Sequence, residues 1–160
     1  MQALPGLACV SLAIFLTACA AEHPATPGTV SPVRVTVAGP VLSAAAPGRA
    51  LYLVRYDIAP GTRLPAHRHE GTQIGRVEAG TLTYHVLAGR VSVYRDGEDG
   101  KPVLIREISE GEQAELSAGE WLVEAEKVRH WGANLGSALL VIHASALLRE
   151  GAPLATPLPP

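Results

Sequence analysis

The feature that most restricts this chain is its punctuation. From Val33 onward, apolar and polar residues alternate in short runs, and glycine, proline or aspartate closes most of them. Val33-Arg-Val-Thr-Val37 alternates strictly, which predicts a half-buried strand. Leu51–Ile58 sets Tyr52, Val54, Tyr56 and Ile58 on one face, and Pro60-Gly61 ends it with a turn. Thr81–Leu87 and Val91–Arg95 are β-rich and flank Ala88-Gly89; Asp96–Gly100 is a turn from which Val103–Ile108 returns. Ala114–Ser117, Trp121–Ala125 and Leu139–His143 complete the set, and only Leu147–Glu150 offers a short helical turn. Many short strands at close spacing predict an all-β sandwich or barrel, in which closing the sheet protects its edges. Aromatic residues are only 4% of the chain, so the core must be built from Val, Leu, Ile and Ala. The formal net charge is -2 with a pI near 6.3, which excludes the basic footprint of a nucleic-acid binder.

The first residues read as an address. Ala3–Ala18 is largely apolar and ends in Leu16-Thr17-Ala18-Cys19. That ending resembles the bacterial lipobox, in which the cysteine is lipidated and becomes the first residue of the mature chain. The resemblance implies a signal peptide over 1–18, lipidation at Cys19, and an extracytoplasmic protein anchored at the bacterial envelope, in the periplasm or at the cell surface. Contact with a membrane would then be through the lipid alone. Residues 1–18 hold no Lys or Arg, a departure from the positive start usual in export signals. The only cysteines are Cys9 and Cys19, so a mature domain would carry no disulfide. Residues 19–32, rich in Pro and Ala, predict an extended tether, with His23 solvated in it. The barrel domain is expected over 33–148 and a proline-rich, unpaired tail over 149–160.

Chemistry concentrates in two stretches. In the first, His67 and His69 stand at i and i+2, so on a strand they share a face and can converge on one ion. His130 supplies a third imidazole, a ligand type that suits Zn, Cu, Ni and Fe. The residues alone permit two readings, a metal site or polar groups lining a metal-free pocket. The spacing is more specific. Gly61-x5-His67-x-His69-x3-Gln73-x6-Gly80 resembles the first motif of the cupin superfamily, with Gln73 in place of the family's Glu. Gly119, His130 and Asn134 fall in register with the second motif, while Ala125 replaces its Pro and Lys127 its second Gly.

This resemblance spans Val33–Ser145 and implies a small antiparallel β-barrel of the cupin, or double-stranded β-helix, jelly-roll type. It further implies a divalent transition metal (Fe, Mn, Ni, Cu or Zn) held by His67, His69 and His130, with Gln73 in fourth place. The long stretch between the motifs, 81–118, is expected to form an extra hairpin centred on Asp96–Gly100. Lys127 at a glycine position predicts a different turn ahead of His130. Asn134 is expected to bond backbone in the last turn. With Gln for Glu the ligands would all be neutral, leaving the ion its full charge. That should lower the pKa of bound water, favour anionic ligands, and weaken Fe(II) and Mn(II) relative to a site with a carboxylate.

The remaining titratable and aromatic residues have plainer readings. His85 and His143 are expected to be ordinary strand histidines. Glu70 should face away from the ligands, Glu78 and Glu107–Glu115 are read as solvated, and Arg76 and Arg129 should point outwards. Tyr52, Tyr56, Tyr84, Trp121 and Trp131 are read as core or rim. The function that follows is a metal-dependent enzyme acting on a small, possibly anionic, molecule, dioxygenase- or oxidoreductase-like. The alternative is a non-catalytic cupin that binds a metal or small ligand. The family resemblance also implies pairing into homodimers.

Overall fold

The computed structural model describes residues 32–159, so the leader, Cys19 and nearly all of the expected tether lie outside the described residues. Among the described residues there is no helix. The strands are β1 (Val33–Leu42), β2 (Arg49–Ile58), β3 (Thr62–Arg63), β4 (His67–Arg68), β5 (Gly71–Ala79), β6 (Thr81–Ala88) and β7 (Arg90–Asp96). They continue with β8 (Pro102–Ser109), β9 (Gln113–Ser117), β10 (Trp121–Glu124), β11 (Arg129–Asn134), β12 (Leu140–Arg149) and β13 (Thr156–Pro157). All pair antiparallel in two sheets. The larger runs β1-β2-β12-β5-β10-β7-β8 and the smaller β13-β4-β11-β6-β9, with β3 beside β11. The all-β architecture expected from the alternation is observed, and it is antiparallel as the family resemblance implied.

Period-two burial explains the packing. In β2, Ala50, Val54 and Ile58 are buried while Leu51 and Leu53 are exposed; in β12, Ala144, Ala146 and Leu148 turn inward. The inward residues of both sheets, among them Ile58, Val77, Val86, Val93, Leu116 and Leu140, form one core. Burying each such side chain contributes roughly 1.5–3 kcal/mol. The hairpin centred on Asp96–Gly100 is present, as β7 and β8. Asn134 is fully buried and donates to the Ile58 and Ala138 carbonyls at 2.8 Å each, while its Oδ1 accepts from the Gly136 N–H. It ties the end of β11 to β2, in the role its sequence position suggested.

Three expectations are corrected. β1 is a strand, but it is exposed along its whole length. Its register sets Arg34 and Thr36 opposite Tyr56 and Val54, on the inner side, and Val33 and Val35 opposite Asp57 and Arg55, on the outer side. The alternation was real, but its apolar side faces out on an edge strand. The helical turn at Leu147–Glu150 is instead the end of β12, which pairs on both sides through Leu148. The residues expected as a free tail fold back: Thr156 and Pro157 pair with Arg68 and His67, and the Leu158 N–H donates to the Ala66 carbonyl.

Candidate metal centre

The smaller sheet brings the three histidines together. His67 on β4 is the register partner of His130 on β11, and His69 follows β4 directly. Ring centroids lie 4.3 Å apart for His67–His130, 5.0 Å for His67–His69 and 5.3 Å for His69–His130. One nitrogen from each ring lies within 4.8 Å of the other two. Lys127 does not make the different turn expected of it. It takes φ 70°, the left-handed conformation that a glycine would adopt, and its N–H donates to the His69 carbonyl. The turn leading to His130 is therefore kept, with a lysine in it.

Two imidazoles are fixed in their tautomer. The Nδ1–H of His67 donates to the Pro65 carbonyl at 2.7 Å, and that of His69 to the Leu154 carbonyl at 2.6 Å. A carbonyl only accepts, so Nδ1 carries the proton and Nε2 keeps its lone pair for the centre. Such outer hydrogen bonds are what orient metal-ligating histidines. Leu154 belongs to the folded-back C-terminal segment, so that segment helps to build the site.

The larger sheet contributes two residues. Gln73 on β5 and Glu124 at the end of β10 are register partners, facing the histidines. Glu124 is 3% exposed. Its carboxylate accepts from Tyr84 Oη at 2.9 Å and from Gln73 Nε2 at 3.0 Å, and lies 3.1 Å from His69 Nε2 and 3.4 Å from His130 Nε2. The amide of Gln73 is turned with its nitrogen to the carboxylate, and its Oε1 is buried without a partner. Tyr84 also stacks on His130, with centroids 5.0 Å apart.

The ionisations are coupled. Burial lowers the His67 pKa to about 4, and His130 beside it acts the same way. Burial also lowers the His130 pKa. For His69 burial acts downwards too, but Glu124, which would accept from Nε2–H of the doubly protonated ring and carries the opposite charge, holds its pKa above the ordinary value. Burial would raise the Glu124 carboxyl; the imidazoles of His130, His69 and His67 hold it well below the usual carboxylate range instead. Burial and then Glu124 push the Tyr84 phenol well above its ordinary value, so it stays a donor.

These groups floor a cavity of about 510 Å³. Leu64, Leu82, Leu122 and Ile142 make apolar walls, and Arg34 and Tyr56 line it from β1 and β2. The other assigned residues lie elsewhere. His85 stacks on Trp131, His143 sits 3.6 Å from Glu78 on the outer face, and Arg76 pairs with Asp96. Glu70 is buried against Arg68 and Arg149.

Glu124 is the residue that sequence reasoning missed. The signal was present, because Trp121-Leu-Val-Glu124 alternates and Leu122 and Glu124 share its buried face. A carboxylate on the apolar side of a strand is rare without a partner, and that mismatch marks a site. The donor set fits a divalent transition ion: three converging imidazoles, two of them with Nδ1 held by a carbonyl, and a buried carboxylate, beside a buried amide oxygen with no partner.

No family model matches this chain, and no curated protein matches it. Among solved structures, a cupin 2 domain-containing protein from Halorhodospira halophila aligns with TM-score 0.50 at 14% identity, over 79% of this chain and 68% of that one. KdgF from Halomonas sp. aligns with TM-score 0.47 at 23% identity, over 78% and 84%. A Lactobacillus farciminis oxalate decarboxylase formate complex aligns with TM-score 0.44 at 16% identity, over 68% of this chain and 26% of that one. The two antiparallel sheets and the alignment with the Halorhodospira halophila protein show the fold to be the cupin double-stranded β-helix. At these identities the likeness is one of fold, and the chemistry has to come from this chain's own residues.

Proposed function

We propose that this chain is an exported, lipid-anchored metalloprotein that binds a divalent transition metal through His67, His69 and His130 and acts on a small molecule in the cavity beside it. One observation carries the reading. Two of the three converging imidazoles have their Nδ1 protons held by backbone carbonyls, which leaves Nε2 free on each neutral ring, and one nitrogen of every ring lies within 4.8 Å of the others at the cavity. A bound ion would supply Lewis acidity and, if redox-active, electron transfer to a coordinated substrate. The chain's own residues do the rest. The apolar walls exclude water, and Arg34 on β1 can meet an anionic group of the ligand. An oxidoreductase of dioxygenase type is the activity this arrangement supports best. Anchoring is supported by Leu16-Thr17-Ala18-Cys19, and Cys19→Ala should move the protein from the membrane to the soluble fraction.

The test is elemental analysis of the full chain, extracted in detergent and purified without chelator or added metal. Near-stoichiometric metal in the wild type, lost in His67→Ala/His130→Ala, is expected. Fe, Mn, Ni or Cu would support oxidative chemistry. Zn would overturn that part and leave a hydrolytic or binding role. No metal, with none taken up on titration, would overturn the reading altogether.

A further inference from the structure

The group that stands out once the histidines are assigned is the carboxylate of Glu124. Its Oε2 lies 3.1 Å from His69 Nε2, yet in the neutral ring the proton sits on Nδ1, held by the Leu154 carbonyl. A lone pair of nitrogen therefore faces a lone pair of oxygen. Such a contact is repulsive unless a cation, a proton or a metal ion, lies between the two. The same carboxylate brings Oε1 to 3.4 Å from His130 Nε2. Donors about 2.1 Å from a common ion and adjacent around it are themselves about 3.0–3.4 Å apart. The two distances fit ligands sharing one ion.

Among the described residues, the ion-pair partners of Glu124 are His69 and His130. A buried carboxylate without a cation gives up its solvation with no opposite charge in return. Its remaining lone pairs are tied down, one to Tyr84 Oη and one to Gln73 Nε2, which fixes the plane of the carboxylate. A carboxylate only accepts, so it also decides the orientation of Gln73, whose amide must present nitrogen. That nitrogen lies 3.4 Å from His69 Nε2, so a group unable to coordinate faces the imidazole–carboxylate contact.

We propose that Glu124 is the anionic ligand of this metal centre and that Gln73 is its positioning residue. The assignment rests on the three-histidine reading above. It changes the chemistry expected of the site. The ligand set becomes three imidazoles and one carboxylate, with the carboxylate on β10, directly across from Gln73 on β5. One of the ion's two charges is then offset within the protein. Hard ions such as Mn(II) and Fe(II) gain relative to a site with neutral ligands alone.

The experiment uses the full chain in detergent, stripped with chelator, and titrated with Mn(II) and with Co(II) followed by its absorption spectrum. Glu124→Gln, which keeps the shape, is expected to weaken Mn(II) by roughly 10–100-fold and to change the Co(II) spectrum. The exchange Gln73→Glu/Glu124→Gln is expected to recover most of that affinity, because it returns a carboxylate across the same strand pair. Gln73→Leu should weaken binding several-fold while keeping the wild-type Co(II) spectrum. Wild-type affinity and spectrum in Glu124→Gln, with binding lost in His67→Ala/His130→Ala, would overturn the ligand assignment and leave the three-histidine site standing. Loss of the wild-type spectrum in Gln73→Leu would overturn its positioning role and make its amide oxygen a ligand. A wild-type protein that takes up neither ion would overturn the underlying metal reading instead.

Discussion

Lys127 holds a conformation that its side chain resists. At φ 70° its Cβ crowds the following carbonyl, which costs a non-glycine residue about 1–2 kcal/mol. The conformation persists because the Lys127 N–H bonds to the His69 carbonyl and because His130, three residues on, must reach its place between β4 and β6. Lys127→Gly is therefore expected to stabilise the protein by about 0.5–1 kcal/mol, the relieved strain less the extra entropy of glycine in the unfolded chain. Metal affinity should stay unchanged. Urea unfolding measures the first and metal titration the second; a destabilised Lys127→Gly would mean that the lysine side chain itself supports the turn. The convergence of His67, His69 and His130 was legible in the sequence because it follows from residue type and spacing along the chain: two imidazoles on one strand face and a third at a fixed motif position. Glu124 was not, because reading it needs the face on which it lies and the groups opposite, and both are set by strand pairing across the barrel.

At the level of elements, the C-terminal segment is part of the site rather than an appendage. β13 closes the outer side of β4, the strand that carries His67, and Leu154 holds the Nδ1 proton of His69. Ala155 and Pro157 line the cavity. Ending the chain after Gly151 removes all three contributions but no residue of the main core. The truncated protein is expected to keep its β-sheet circular dichroism while its metal affinity falls roughly 10–100-fold, the usual effect of losing an outer hydrogen bond to a ligating histidine. Unchanged affinity would show that His69 keeps its orientation without Leu154. This segment was illegible because its prolines point to an extended chain and say nothing about what that chain lies against. β1 failed in the opposite sense: its alternation was read correctly, but alternation cannot say which face looks inward. β2, β6, β7 and the β7–β8 hairpin were legible because their turns and their buried faces agree.

Across the whole molecule, the two sheets meet in two different ways. At the core they meet through aliphatic side chains, Val86 and Leu116 from the smaller sheet against Ile58, Val77 and Val93 from the larger. At the site they meet through polar groups: His67, Tyr84 and His130 stand on the smaller sheet, Gln73 and Glu124 on the larger. Without a cation the Tyr84–Glu124 hydrogen bond still joins the sheets here, but the lone pairs of the neutral imidazoles and the carboxylate are set against each other, which weakens the contact. An ion bound there links them, and because no such site exists in the unfolded chain, its binding energy adds to folding stability. At a free metal concentration about 1,000 times Kd the gain is roughly 4 kcal/mol. For a domain of this size that corresponds to a rise in Tm of roughly 10–20 °C. Calorimetry of chelator-stripped protein, with and without added metal, should show that rise, and His67→Ala/His130→Ala should show none. If stripped and loaded wild-type proteins melted together while metal was demonstrably bound, the ion would be a passenger on one sheet rather than a link between two. The ligands would then have to come from the histidines of the smaller sheet alone, and Glu124 would need its cation from a protonated imidazole.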